Sequence, residues 1–166
     1  MRMPVAVPKI AALSAALVLL LSACLKTEEF PIEPRVSFKE FNVVGDSGSV
    51  VITFTDGDGD IGLDQGDTLP PHAPGQTYYH NLFVRYDKWV EGAWQEVVFA
   101  LPLYYRVPVV TPTGQNKSLD GEIAVALTPW PISPSFVGDT IRFRVKLVDR
   151  ALHVSNEAIS DAIKVQ

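Results

Sequence analysis

Five aspartates, Asp56, Asp58, Asp60, Asp64 and Asp67, fall inside one twelve-residue window, and between residues 40 and 84 the chain has seven carboxylates and no lysine or arginine. Two carboxylates about 5 Å apart at an effective dielectric of about 20 repel by roughly 3 kcal/mol. A compact loop of this composition therefore calls for a cation. Placing acids at alternate positions lets several oxygens converge on one ion. Calcium suits so many oxygen donors better than magnesium does, and zinc would want cysteine or histidine beside them. The competing reading is a polar hairpin turn, since Asp56-Gly57 and Asp58-Gly59 are both Asp-Gly pairs of the kind that such turns favour.

The spacing is that of an EF-hand calcium loop: Asp56, Asp58, Asp60, Asp64 and Asp67 occupy places 1, 3, 5, 9 and 12, and Gly62 offers a carbonyl at place 7. Ile61 stands where the EF-hand has glycine, and Asp67 where it has a bidentate glutamate. No helical pattern follows, because residues 68–75 read as a proline-rich loop. The motif is thus expected to be a calcium turn between strands, with Asp64 and Asp67 as its outer ligands and the ion mainly structural.

Catalytic constellations are harder to find. The histidines His72, His80 and His153, the serines and the acids show no nucleophile or metal-catalysis spacing, so the chain is not expected to be an enzyme; a metal-dependent hydrolase would have to use the acidic loop itself. Aromatics are plentiful. Trp89 and Trp94 flank a Glu91-Gly92 turn, and together with Trp130 they could form a ligand platform for a glycan if they share one exposed face.

The N-terminus carries Arg2 and Lys9, after which residues 10–23 are apolar apart from two serines. That run is too short for a hydrocarbon layer needing roughly 20 apolar residues, and charges follow at Lys26, Glu28 and Glu29, so it reads as a signal peptide. Its end, Leu21-Ser22-Ala23-Cys24, resembles the bacterial lipobox. That resemblance implies cleavage after residue 23, acylation of Cys24 and attachment to a membrane through two or more acyl chains. Cys24 is the only cysteine, so no disulfide can form within the chain. Leu25 resembles the outer-membrane sorting pattern, and Lys26-Thr27-Glu28-Glu29 the export signal of Bacteroidota surface lipoproteins, which leaves the periplasmic and cell-surface faces both open. Removing Arg2 and Lys9 moves the formal charge from −5 to −7, which argues against a nucleic-acid partner.

What must position the acidic loop is a set of strands. Residues 24–35, rich in proline and charge, read as a solvated tether. Alternation then dominates: Val50, Ile52 and Phe54; Leu82, Val84 and Tyr86; Ile123, Val125 and Leu127; and, most clearly, Ile141, Phe143, Val145 and Leu147 opposite Arg142, Arg144 and Lys146. Further strands are expected at 36–41, 94–99, 104–110 and 158–165, with Pro108 marking an edge. Seven or eight strands over residues 36–166 predict a single all-β domain, a β-sandwich.

The string Phe54-Thr55-Asp56-Gly57-Asp58-Gly59-Asp60-Ile61-Gly62-Leu63, with the later Asp149-Arg150-Ala151-Leu152-His153-Val154-Ser155-Asn156, looks like a group of uncharacterised Bacteroidota outer-membrane lipoproteins with immunoglobulin-like folds. The resemblance implies an immunoglobulin-like sandwich acting in binding or in assembly of an envelope complex, with another envelope protein or a glycan as partner. The second motif also resembles the hairpin before the last strand of bacterial immunoglobulin-like domains. Asp149 and Asn156 become further candidate ligands if the fold brings them beside the acidic loop; otherwise they serve the turn.

Overall fold

A computed structural model describes residues 29–166. The signal segment and Cys24 lie outside the described residues. The chain from 29 onward is a β-sandwich of two antiparallel sheets. The smaller sheet has the order β1 (Arg35–Val44), β2 (Ser47–Asp56), β6 (Leu119–Leu127). The larger runs β4 (Ala93–Glu96), β3 (Leu82–Val90), β7 (Thr140–Leu147), β8 (Ala158–Ile159), with β5 (Tyr104–Tyr105) also on β3 and β9 (Ile163–Lys164) also on β7. The described residues form nine strands where the alternation predicts seven or eight.

The alternation explains the layering. Val50, Ile52 and Phe54 of β2 and Val125 and Leu127 of β6 face Leu82, Val84 and Tyr86 of β3 and the four apolar residues of β7, and all of them are buried. At the centre Tyr86 meets Phe143 edge-on at 5.6 Å between ring centroids, and Phe41 bridges Phe143 (5.2 Å) to Trp130 (4.7 Å). Register on β7 is protected from the outside as well: a slip of one residue would drive Arg142, Arg144 and Lys146 into this core. On the outer face Arg142 and Arg144 instead grip Asp87 of β3, which is almost fully buried between them.

Three expected strands are shorter or divided. The 94–99 strand leaves β3 after the bond from Val97 N to Tyr86 O. In the 104–110 stretch only Tyr104–Tyr105 pairs with β3, while residues 107–110 turn aside to cover the acidic loop, with Leu63 N donating to Val107 O and Val110 N to Ile61 O. Pro108 thus belongs to a covering segment, not to a sheet edge. The 158–165 strand is interrupted at Ser160, whose hydroxyl accepts from Phe143 N and donates to Asp161 O. Ser155 treats Leu147 N and Asn156 O in the same way.

Asn156 closes the entry to the sandwich. Its Oδ1 accepts from Val36 N at 3.0 Å and its Nδ2 donates to Val36 O at 2.8 Å, so a side chain replaces a strand partner for the second residue of β1. Asn156→Ala is expected to cost about 1–2 kcal/mol, because the two backbone groups then depend on water. Urea melts of the two proteins compare the midpoints directly.

Candidate metal centre

The inward series of two facing strands both end on an aspartate. On β2 the core-facing positions run Val50, Ile52, Phe54 and then Asp56; on β7 and just beyond they run Ile141, Phe143, Val145, Leu147 and then Asp149. Strand periodicity therefore carries two carboxyl groups to the same end of the interior, one from each sheet. Asp56 is 0 % exposed and Asp149 1 %. The turn after β2 returns Asp60 to the same place, and one carboxylate oxygen from each of Asp56, Asp60 and Asp149 lies within 4.8 Å of the other two.

The hydrogen bonds around this cluster do not satisfy it. Asp56 Oδ2 accepts from Asp60 N at 3.1 Å, and Asp60 Oδ2 from Ala151 N at 2.9 Å. Asp56 Oδ1 and Asp60 Oδ1 are both buried and have no hydrogen-bond partner. Asp149 is oriented by His153, whose backbone N–H donates to Oδ1 and whose Nδ1 lies against Oδ2, both at 2.7 Å. Burying a charged oxygen unpaired costs several kcal/mol unless it is protonated or meets a cation. All three carboxyl groups offer hard oxygen donors, which fits an alkaline-earth ion.

Titration reflects the crowding. Burial, then the charges of Asp58 and Asp60, pushes the Asp56 carboxyl from its ordinary 3.8 up to about 6. Asp60 is raised by burial and then by Asp149 and Asp58. A carboxyl whose folded value lies above its unfolded one supports the fold fully at pH below the unfolded value and loses that support as pH rises through the folded value. In chelator, the Asp56 contribution should therefore decline between about pH 4 and pH 7. Thermal melts of wild type and Asp56→Asn across this range isolate it: the asparagine variant should lack that decline.

The remaining candidates are distributed differently. Asp58 is exposed, yet near enough to raise both Asp56 and Asp60. Asp64 and Asp67 turn toward each other and away from the cluster: Asp64 N donates to Asp67 Oδ2 at 2.7 Å, Gly66 N to Asp64 Oδ1, and Arg150 pairs with Asp67 at 2.8 Å. Gly62, at φ 107°, lies against Pro108, whose carbonyl oxygen would be 2.2 Å from a Cβ there; this left-handed, tightly covered position admits only glycine. Asn156 has both ends of its amide committed to Val36.

The three tryptophans do not form one platform. Trp130 is core, 8 % exposed, whereas Trp89 and Trp94 pair edge-on at 5.1 Å across the β3–β4 hairpin, with the Arg142 guanidinium 4.7 Å from the Trp94 ring.

Two further residues shape the site in roles that the sequence motifs do not assign. His153, which orients Asp149, sits four residues beyond it, a local spacing. Arg106, which donates to the carbonyls of Asp64, Asp67 and Tyr79 and so folds residues 64–79 back on themselves, carries no local signal at all. Comparison with family models, curated proteins and solved structures finds no match to this chain. Among the described residues no helix is long and apolar enough to cross a membrane.

Proposed function

We propose that the chain is a lipid-anchored outer-membrane protein, acylated at Cys24, whose β-sandwich is stabilised by one calcium ion and serves in binding or assembly of an envelope complex. The observation that carries the metal is the pair of buried, partnerless oxygens on Asp56 and Asp60, facing Asp149 from the opposite sheet. Asp56, Asp60 and Asp149 would hold the ion, and the exposed Asp58 would add a fourth carboxylate. The chemistry supplied is charge neutralisation; nucleophile and acid–base partners play no part in this reading.

Isothermal titration of the chelator-stripped protein with calcium tests the site. Heat that saturates at one ion per chain, and that vanishes in Asp56→Ala and Asp149→Ala variants that remain folded, is the expected outcome. The absence of saturable heat in the wild type would remove the metal. The anchor has its own test. Cells fed an alkyne fatty acid should label the wild type and leave Cys24→Ala unlabelled.

A glycan-binding module is the second reading, and it draws on Trp89, 45 % exposed at the hairpin beside Trp94 and Arg142. Tryptophan emission titrated against a glycan panel, with Trp89→Ala as control, decides it. Unchanged emission throughout would exclude this face.

A further inference from the structure

The chain entering the sandwich is gripped by the same two segments that hold the carboxylates. Gly57 sits between Asp56 and Asp58, and residues 30 and 31 lie flat upon it: a Cβ at Gly57 would stand 2.3 Å from Phe30 O and 2.7 Å from Pro31 O. Pro34 is buried. On the other side Val36 is held at both backbone groups by Asn156, seven residues after Asp149. Residues 30–36 therefore span the two loops across which Asp56 and Asp60 oppose Asp149. Composition predicts a solvated tether over residues 24–35, and its last part, from residue 30, is instead docked.

We propose that metal occupancy of the Asp56, Asp60 and Asp149 cluster controls whether this stem, residues 30–34, stays docked on the sandwich. The inference rests on the metal reading given above. Without a counter-ion the carboxylates push the 56–60 and 149–151 segments apart, and Gly57 and Asn156 move with them. A divalent cation draws both segments inward and restores the surface on which the stem lies. Linkage makes the effect reciprocal: the factor by which calcium favours the docked stem is the factor by which the docked stem favours calcium.

Gly57→Ala separates the two halves of this coupling. The Gly57 backbone lies outside the left-handed region, so alanine meets no left-handed strain there, and the atoms nearest its Cβ are stem backbone, Phe30 O and Pro31 C and O. Amide hydrogen exchange on the full chain in detergent, in millimolar calcium and in chelator, reads the stem. Calcium should slow exchange at Arg35, paired with Thr55, and at Val36, held by Asn156, by about tenfold, within the usual span of coupling factors. In Gly57→Ala that slowing should vanish and calcium affinity should drop by a similar factor, while Asp60 and Ala151 amides remain slowed by calcium. If calcium slows Asp60 and Ala151 in the wild type but leaves Arg35 and Val36 unchanged, the coupling is overturned and the metal site stands. No calcium effect anywhere overturns both. Because the wild-type comparison needs no variant, misfolding of Gly57→Ala would not remove the test.

Discussion

Calcium at about a hundred times its dissociation constant should stabilise the chelator-stripped domain by about 2.7 kcal/mol, equivalent to roughly 8–12 °C in melting temperature for a domain of this size. The source of that gain is specific. In the absence of metal, two buried oxygens lack partners and three carboxyl groups share one small space. Asp56→Asn makes the argument two-sided. The amide removes the buried charge and its repulsion, so the variant should melt above wild type in chelator near pH 7. It also takes one negative charge from the cluster and leaves a neutral amide oxygen in its place, so the rise that calcium gives in melting temperature should be clearly smaller than in wild type. A wild type that melts at one temperature in chelator and in millimolar calcium would discard the site, and a folded Asp56→Ala variant with a full calcium response would discard Asp56 as a ligand.

The second large effect lies on the outer face. Asp87 is buried beneath two guanidinium groups: Arg142 Nε reaches Oδ2 at 2.8 Å, and Arg144 reaches both oxygens through Nε at 2.8 Å and Nη2 at 2.9 Å. Glu96 accepts from the same Arg144 Nη2 at 2.8 Å. Burial raises the Asp87 carboxyl, but the bonds from Arg144 and Arg142 outweigh it and hold the group below its ordinary range. Asp87→Ala leaves two adjacent cations without their shared partner. Breaking a buried pair on one side costs about 3–5 kcal/mol, and since both arginines keep some access to water and Arg144 retains Glu96, about 2–3 kcal/mol is expected. The melting temperature should fall by roughly 10 °C. Tryptophan emission should change too, because Arg142 also stacks on Trp94. A loss below 1 kcal/mol by urea denaturation would show that the arginines are satisfied without Asp87.

Asp87 and Asp56 respond to acid in opposite senses. A depressed carboxyl contributes stability above its unfolded value and loses it as pH falls through the folded one; a raised carboxyl loses its contribution as pH climbs. In Asp87→Asn, the part of the acid-side decline that lies below the ordinary carboxylate range should shrink, and circular dichroism melts at stepped pH measure it.

How far the sequence reaches is clearest at the two inward aspartates. The same alternation that identifies β2 and β7 carries Asp56 and Asp149 inward, so the sandwich and two members of the cluster follow from period two alone. The EF-hand spacing describes a loop that closes on itself, and it does not foresee an arrangement that reaches across the two sheets. Asp64 and Asp67 match that spacing as well as Asp60 does, but an arginine 83 residues beyond Asp67 and the turn between the two acids take up their oxygens. Arg150 stands one residue past Asp149, so no local pattern connects it to Asp67. The Asp87 pairing is hidden for a related reason, since it depends on the register that sets Asp87 opposite Arg142. Ser160 divides the expected last strand because its hydroxyl takes the place of a ladder group, which composition cannot reveal.

The small sheet ends on β6, whose outer backbone edge pairs with no other strand among the described residues. Its second half, Ile123-Ala124-Val125-Ala126-Leu127, is uncharged, while the first half carries Asp120 and Glu122. Such an edge is a template for strand addition by a neighbour, and like charges facing each other across the new seam are what discourage it. Glu122 is already paired with Lys39 at 2.6 Å, so the guarding charge falls mainly to Asp120: at low pH, or once it is made neutral, copies packed closely together would be free to zip edge to edge.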